Sequence, residues 1–206
     1  MDATRSGALV IACGALAHEI AALRRLNGWD ALDVQCLPPE LHNYPDKIPG
    51  RVREAIEAAR NRYAKIFVAY ADCGTGGRLD ALLEPLGIER LPGAHCYQFY
   101  ATAQRFSELA EQEPGTFYLT DFLVRHFERL VAQTLGIDRH PELIAEYFRN
   151  YKRVVYLVQD EAQSDVAYAR SIAVRLGLEF EVYTVGYGEL ATSLTRVAEE
   201  RLAWPR

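Results

Sequence analysis

The chain has 206 residues, of which 50% are hydrophobic and 25% are charged, and its formal net charge is −5. This composition is typical of a globular protein with one large or two small domains, and not of a disordered or fibrous chain. The acidic balance and the lack of lysine and arginine clusters argue against nucleic acid as a partner. No apolar run approaches the roughly 20 residues that cross a bilayer, and no signal-peptide pattern is present, so we expect a cytoplasmic protein with no membrane partner.

The first half of the chain alternates short apolar runs with amphipathic segments. Strands are predicted at 8–12, 31–37, 65–70 and 88–91, and helices at 16–26, 52–63, 79–86 and 97–111. The segment between the second strand and the second helix carries four prolines and is predicted to be a rigid loop.

The second half continues the alternation. Strands are predicted at 116–120, 153–158 and 179–185, and helices at 122–135, 142–151, 164–176 and 189–202. Strands that alternate with helices form right-handed crossovers, so the pattern predicts a mostly parallel, Rossmann-like α/β sheet flanked by helices. We interpret 1–206 as a single α/β domain, and residues 113–115 are the candidate boundary if it is divided into two α/β lobes.

The four cysteines fall at or near the carboxyl ends of the first four predicted strands. In open parallel sheets, ligands bind beyond these ends, so the fold brings the cysteines toward one edge. Cys13, Cys73 and Cys96 also precede predicted helices, whose amino-terminal amides favour a thiolate and lower its pKa. Free cysteines are also common in protein cores, so packing is the alternative for each of them alone, above all for Cys36.

Cysteine and histidine together indicate a transition metal site. We expect Cys13, Cys73 and Cys96 to hold one metal, with His42, Cys36 or an exogenous ligand as the fourth donor. Cys36 and His95 are the weaker candidates. Soft sulfur with nitrogen suits zinc, and three thiolates also suit an iron–sulfur cluster; we rank zinc slightly higher because no CxxC spacing singles out a cluster.

Two further sets of residues are candidates for binding a small-molecule ligand. Gly14 and the segment formed by Gly74, Thr75, Gly76 and Gly77 could expose backbone amides to an anion, although tight turns also require glycine. Tyr118 and Asp121 lie at the end of another predicted strand, where they could contact a ligand or simply cap the next helix.

Several of these segments together resemble the domain-of-unknown-function family numbered 1638 over nearly the whole chain. They are Ala12-Cys13-Gly14, the Leu41-His42-Asn43 loop with Pro45, the run from Tyr70 to Gly77, His95-Cys96, and the run from Glu113 to Thr120. In the family pattern the cysteines matching Cys13, Cys73 and Cys96 recur with the histidine matching His42, whereas Cys36 belongs to a subgroup. Members are often encoded beside corrinoid-dependent methyltransferases, which implies an accessory role in one-carbon metabolism and a corrinoid protein or methyltransferase as partner.

The residues and the resemblance leave three functions open. The first is a metal–thiolate protein, an accessory enzyme for corrinoid-linked methyl transfer or redox activation. The second is a non-catalytic carrier of a small anionic ligand, a pterin or a corrinoid, in which the cysteines only line the site. Thiol-redox catalysis is a third, disfavoured because no adjacent resolving cysteine is visible. The aromatic content is compatible with a homodimer.

Overall fold

The computed structural model describes residues 7–202, with the side chains of residues 201 and 202 left out. The described residues form two compact units: the first comprises residues 7–99 and 188–202, and the second comprises Tyr100–Tyr187. The predicted boundary at 113–115 lies inside the second unit. The single-domain interpretation stays a prediction.

Seven strands and ten α-helices cover most of the described residues, joined by several short 3-10 turns. The strands are β1 (Ala8–Cys13), β2 (Leu32–Leu37), β3 (Lys65–Ala69), β4 (Glu89–Arg90), β5 (Thr116–Thr120), β6 (Arg153–Val158) and β7 (Glu179–Thr184). The helices are α1 (Ala17–Asn27), α2 (Ile48–Ala59), α3 (Arg78–Leu83), α4 (Cys96–Ala101), α5 (Ala103–Gln112), α6 (Asp121–Arg125), α7 (Gln133–Leu135), α8 (Ile144–Tyr147), α9 (Val166–Leu176) and α10 (Gly188–Leu202).

The first unit is built on a four-stranded parallel sheet, sheet A, in the order β2-β1-β3-β4. Every residue of β1 is buried, as expected for a central strand whose two faces are both covered. Helix α10 returns to this unit, where Glu200 pairs with Lys65 and Arg196 pairs with Glu89. These ion pairs join the last helix to the amino ends of β3 and β4.

The second unit contains a three-stranded parallel sheet, sheet B, in the order β5-β6-β7. Its central strand β6 is buried along its whole length. Leu119, Tyr156 and Ile172 contribute to one apolar cluster between the sheet and its helices. The prediction of an α/β fold with parallel strands flanked by helices is therefore confirmed, with the strands divided between two entirely parallel sheets.

Predicted helices are interrupted where local geometry departs from the apolar pattern. The helix expected at 97–111 breaks at Thr102, whose φ of 68° lies in the left-handed region and whose side chain caps α5. The helix expected at 122–135 consists of α6, a π-helical segment at Glu128–Ala132 and the short α7. Apolar periodicity alone does not detect such breaks, because the buried positions continue across them.

Within residues 7–202, no helix is long and apolar enough to cross a membrane.

Candidate functional site

The site is centred on the carboxyl edge of sheet A, where β1 and β3 end side by side. Ala12 of β1 pairs with Ala69 of β3, and Cys13 and Tyr70 are the residues that follow this pair. Residues at matching positions of adjacent strands project from the same face. Parallel pairing therefore places the Cys13 thiol beside the Tyr70 side chain.

Cys13 is the most enclosed thiol of the site, with 2% of its surface exposed. Its Sγ lies 3.4 Å from Nδ1 of His42 and accepts a hydrogen bond of 3.4 Å from the backbone N–H of Ala15. Burial raises the pKa of Cys13 to about 12, although the Ala15 amide acts in the opposite direction. Burial also lowers the pKa of His42, and the charge of His95 lowers it further. Thiol and imidazole are thus both neutral near pH 7.

His42 reaches Cys13 because two glycines allow the His42 loop, residues 38–47, to approach closely. A Cβ on Gly14 would lie 2.8 Å from the carbonyl oxygen of Leu37 and 2.9 Å from Cδ of Pro39. A Cβ on Gly74, whose φ is +81°, would lie 3.4 Å from Cγ of Pro45. The glycines after Cys13 and Cys73 therefore contact the chain's own loop, and their predicted role toward an external ligand stays a prediction.

Cys96 is held near Cys73 by backbone hydrogen bonds. The N–H of Cys73 donates to the carbonyl of Ala94 over 2.8 Å, and the N–H of Asp72 donates to the carbonyl of Gly93 over 3.0 Å. Arg90 supports the same segment, since its guanidinium donates to the Gly93 carbonyl over 3.3 Å and pairs with both carboxylate oxygens of Asp80. The segment that carries Cys96 is thus tied directly to the turn that carries Cys73.

Cys13 and Cys96 lie near enough to Cys73 for its charge to raise the pKa of each of them. Burial raises the pKa of Cys73 to about 11, against which the charge of Arg90 acts. Burial raises the pKa of Cys96 well above its usual value, and the charges of Cys73 and Cys13 raise it further. From the position of these cysteines before helices, we expect the helix amides to lower the cysteine pKa values. This expectation is wrong for these thiols, because the effect of burial outweighs that of the amides.

Cys73 has an unusual backbone conformation. Its φ is +50°, in the left-handed region that glycine adopts without strain, and its side chain is buried. A residue with a Cβ in this region costs about 1 kcal/mol or more. Strain of this kind persists only where the surrounding structure holds the residue in place.

The two weaker metal candidates lie at more open positions. Cys36 is exposed on the edge strand β2, and His95 is exposed at the start of the segment that leads to Cys96. Charge on Cys36 also raises the pKa of Cys13, but its effect is smaller than those of burial and of Cys73. Of the candidates for a fourth donor, His42 makes the direct contact with Cys13.

The glycine-rich turn after β3 is closed by its own carboxylate. Asp72 accepts hydrogen bonds from the N–H groups of Gly76 (3.1 Å) and Gly77 (2.9 Å) and from the Thr75 hydroxyl (2.6 Å). The amides assigned to an external anion are therefore occupied by an internal one. An anionic ligand would have to displace Asp72, and its binding here stays a prediction.

Asp72 makes the stability of this turn dependent on pH. Burial raises the pKa of Asp72, but the hydrogen bonds from Thr75, Gly77 and Gly76 outweigh it and hold the pKa below its usual range. The stabilisation is complete above the pKa of the unfolded chain, about 3.9, and is lost as the pH falls through the lower pKa of the folded state. We expect Asp72→Asn to flatten the loss of stability of the metal-free protein below about pH 4.

Denaturant midpoints measured between pH 7 and pH 2.5 test this expectation. Asp30→Asn, which alters an exposed carboxylate in the turn before β2, is the control and should keep the wild-type pH profile. An Asp72→Asn profile as steep as that of the wild type would contradict the expectation.

Tyr118 and Asp121 belong to the second unit. Asp121 is buried, and its carboxylate accepts hydrogen bonds from the Tyr156 hydroxyl (2.6 Å) and from the N–H groups of Gln159 (3.1 Å) and Asp160 (2.8 Å). Thr120 caps α6 through its hydroxyl. The Tyr118 ring packs against Phe106 at 5.1 Å between centroids. Asp121 thus joins the ends of β5 and β6, and the prediction that either residue binds a ligand stays open to test.

Sequence reasoning missed three contributors to the site: Tyr70, Asp72 and Arg90. Tyr70 and Asp72 stand within the run that leads from β3 to Cys73, and their proximity to the cysteine was the available signal. Arg90 is the second residue of the two-residue strand β4, and nothing in its sequence context indicates its pairing with Asp80.

No group of three or more histidine, cysteine, aspartate or glutamate side chains among residues 7–202 is arranged to hold a metal ion as the side chains stand. The described arrangement is a thiol–imidazole pair, the buried Cys13 and the half-buried His42, with two further thiols within electrostatic reach.

Fold and site together define an α/β protein that gathers thiols at the carboxyl edge of a parallel sheet. The family described as "Protein of unknown function (DUF1638)" matches residues 36–194, and the chain belongs to this family. The matched range includes His42, Cys73 and Cys96, and it begins after Cys13. No curated protein and no solved structure is significantly similar to the chain.

Proposed function

We propose that this protein binds one transition metal, zinc first, through the thiolates of Cys13, Cys73 and Cys96 and the imidazole of His42. One observation carries the proposal: the buried Cys13 and Cys73 and the half-buried Cys96, from separate parts of the chain, lie within electrostatic reach of one another, and Cys13 contacts a histidine at 3.4 Å. Cysteines that act only as small apolar residues need no such convergence, and none of them needs a histidine partner.

The chemistry of the donors fits zinc. Three sulfurs and one nitrogen form a common set of zinc ligands, and zinc accepts them without a strong geometric preference. Three thiolates with a divalent ion leave one negative charge, and the nearby Arg90, whose charge lowers the pKa of Cys73, would offset it. Zinc binding requires the thiols to lose their protons. It also requires the side chains to come together, because no such group of ligands is preformed among the described residues.

The strained backbone at Cys73 supports the same proposal. Glycine would adopt its φ of +50° without cost, so a cysteine here indicates that the sulfur is required. The carrier function receives less support, because Asp72 already fills the amides that would bind an anion.

The role of the metal centre follows from the resemblance alone and is a further part of the proposal. A zinc ion held by three thiolates and a histidine, with the histidine exchangeable, would act as a Lewis acid that binds and activates a thiol acceptor. Corrinoid-linked methyl transfer, with a corrinoid protein or methyltransferase as partner, is the setting in which we propose that it operates.

Metal analysis of the protein purified without oxygen tests the proposal. We expect about one zinc per chain by elemental analysis, from four donors that together form one site, and no visible colour. Iron with a brown absorption band would overturn zinc as the resident metal. A protein that contains no metal and does not take up added zinc or iron would overturn the metal site itself.

A further inference from the structure

The Tyr70 hydroxyl is a buried polar group that the proposed set of ligands does not use. Tyr70 follows β3, and only 1% of its surface is exposed. Its hydroxyl is buried and makes no hydrogen bond of normal geometry with the described residues. An unsatisfied buried hydroxyl costs about 1–3 kcal/mol, whereas phenylalanine would fill the same space without this cost.

The position of Tyr70 directs the hydroxyl toward Cys13. The Tyr70 ring lies nearly parallel to the His42 ring, with an interplanar angle of 19° and centroids 6.5 Å apart. The hydroxyl lowers the pKa of Cys13, and Cys13 in turn raises the pKa of Tyr70. The register agrees with this placement, because Cys13 and Tyr70 follow the paired residues Ala12 and Ala69 of adjacent parallel strands and project from the same face.

The protonation state of the Cys13 sulfur decides how well it accepts a hydrogen bond from the Tyr70 hydroxyl. A thiol sulfur is a weak acceptor, whereas a thiolate sulfur bears negative charge and is a much stronger one. Burial raises the pKa of Tyr70 far above neutral, so the hydroxyl keeps its proton and remains a donor. The hydroxyl lacks a good acceptor in the present structure, and a thiolate at Cys13 would provide one.

We propose that Tyr70 is a positioning residue whose hydroxyl donates a hydrogen bond to the Cys13 sulfur when that sulfur binds the metal. This inference rests on the proposed function and assigns one residue outside the set of ligands. When the metal binds, Cys13 gives its proton to the solvent and the sulfur's electron pair to the metal, while Tyr70 retains its own proton. Outer hydrogen bonds of this kind hold a ligand in orientation and raise the affinity for the metal.

Tyr70→Phe tests the inference, because it removes the hydroxyl and keeps the ring. Zinc affinity, measured by competition with a chromophoric chelator under anaerobic conditions, should fall about tenfold or more. The thiolate-to-cobalt charge-transfer band of the cobalt-substituted protein should shift as well. The metal-free variant should be at least as stable as the wild type, since the change removes an unsatisfied buried hydroxyl.

Tyr63→Phe is the matched control, because it makes the same change just before the amino end of β3, where the hydroxyl donates to Asp33 over 2.9 Å. It should leave zinc affinity and the cobalt band unchanged. If the wild type binds zinc and Tyr70→Phe binds it equally well, the inference is overturned and the metal site stands. If the wild type binds no metal, the proposed function fails first, so the two failures are distinguishable.

A second measurement requires no variant. Zinc binding to the wild type should perturb the near-ultraviolet absorption of tyrosine, because the Tyr70 hydroxyl gains a strong acceptor. A zinc-loaded protein with an unchanged tyrosine spectrum would overturn the inference.

Discussion

Replacement of Cys13 by serine is expected to abolish the metal content of the purified protein. Serine keeps the size of the side chain and lets a hydroxyl replace the sulfur beside His42, but it is a poor ligand for a soft site. Loss of an outer hydrogen-bond partner of a ligand already weakens metal binding about 10–100-fold, so the loss of a ligand itself should weaken zinc binding further, enough to leave the purified variant without metal. Elemental analysis and chelator competition under anaerobic conditions measure both effects.

Cys36→Ser makes the same chemical change at an exposed position on β2. We expect it to keep wild-type zinc content, because His42 and not Cys36 contacts Cys13. Denaturant unfolding of the metal-free proteins should show that both variants are folded. Retention of zinc by Cys13→Ser together with its loss from Cys36→Ser would show that the ligands have been assigned wrongly.

Gly14→Ala should damage both the fold and the site, although it alters no candidate ligand. Its Cβ would lie 2.8 Å from the Leu37 carbonyl oxygen and 2.9 Å from Pro39, so the His42 loop must move away. Overpacking of this kind costs about 1–3 kcal/mol. Because His42 lies on that loop, zinc affinity should fall together with the urea midpoint of the metal-free protein.

Gly50→Ala is the control, and we expect it to raise the free energy of unfolding, whereas Gly14→Ala should lower it. Gly50 lies in helix α2, and nothing stands within 4 Å of a Cβ placed there. Alanine should stabilise the protein by about 0.5–1 kcal/mol, since glycine is unfavourable within a helix. A Gly14→Ala protein as stable as the wild type would rule out the close approach of the loop in solution.

Sequence reasoning located the strands and their carboxyl ends well, because buried parallel strands leave a direct signal. The apolar run in β1 and the run in β3 each stop at a polar or glycine-rich turn, and a cysteine stands at or just beyond each end. Parallel alternation then requires these ends to share an edge. The convergence of Cys13 and Cys73 follows from these two facts.

The apolar pattern does not show where helices are interrupted or how a polar turn is hydrogen-bonded internally. The break at Thr102 and the π-helical segment at Glu128–Ala132 interrupt helices whose apolar pattern continues. The glycines of the turn after β3 also predict an anion cradle, whereas its amides donate to Asp72, which lies just before them in the chain. Internal and external anions satisfy the same amides, so only the positions of the side chains distinguish them.

The amino-acid sequence by itself determined the parallel α/β architecture and the gathering of cysteines at one edge of a sheet, because periodicity and chain order carry that information. The protonation of those cysteines depended on the tertiary structure, since burial raises the pKa of Cys13 to about 12 and of Cys73 to about 11 despite the nearby helix amino termini. The contact of His42 with Cys13 and the position of the Tyr70 hydroxyl also depended on it. Burial and contacts between distant residues arise only when the elements pack, so they leave no pattern along the chain.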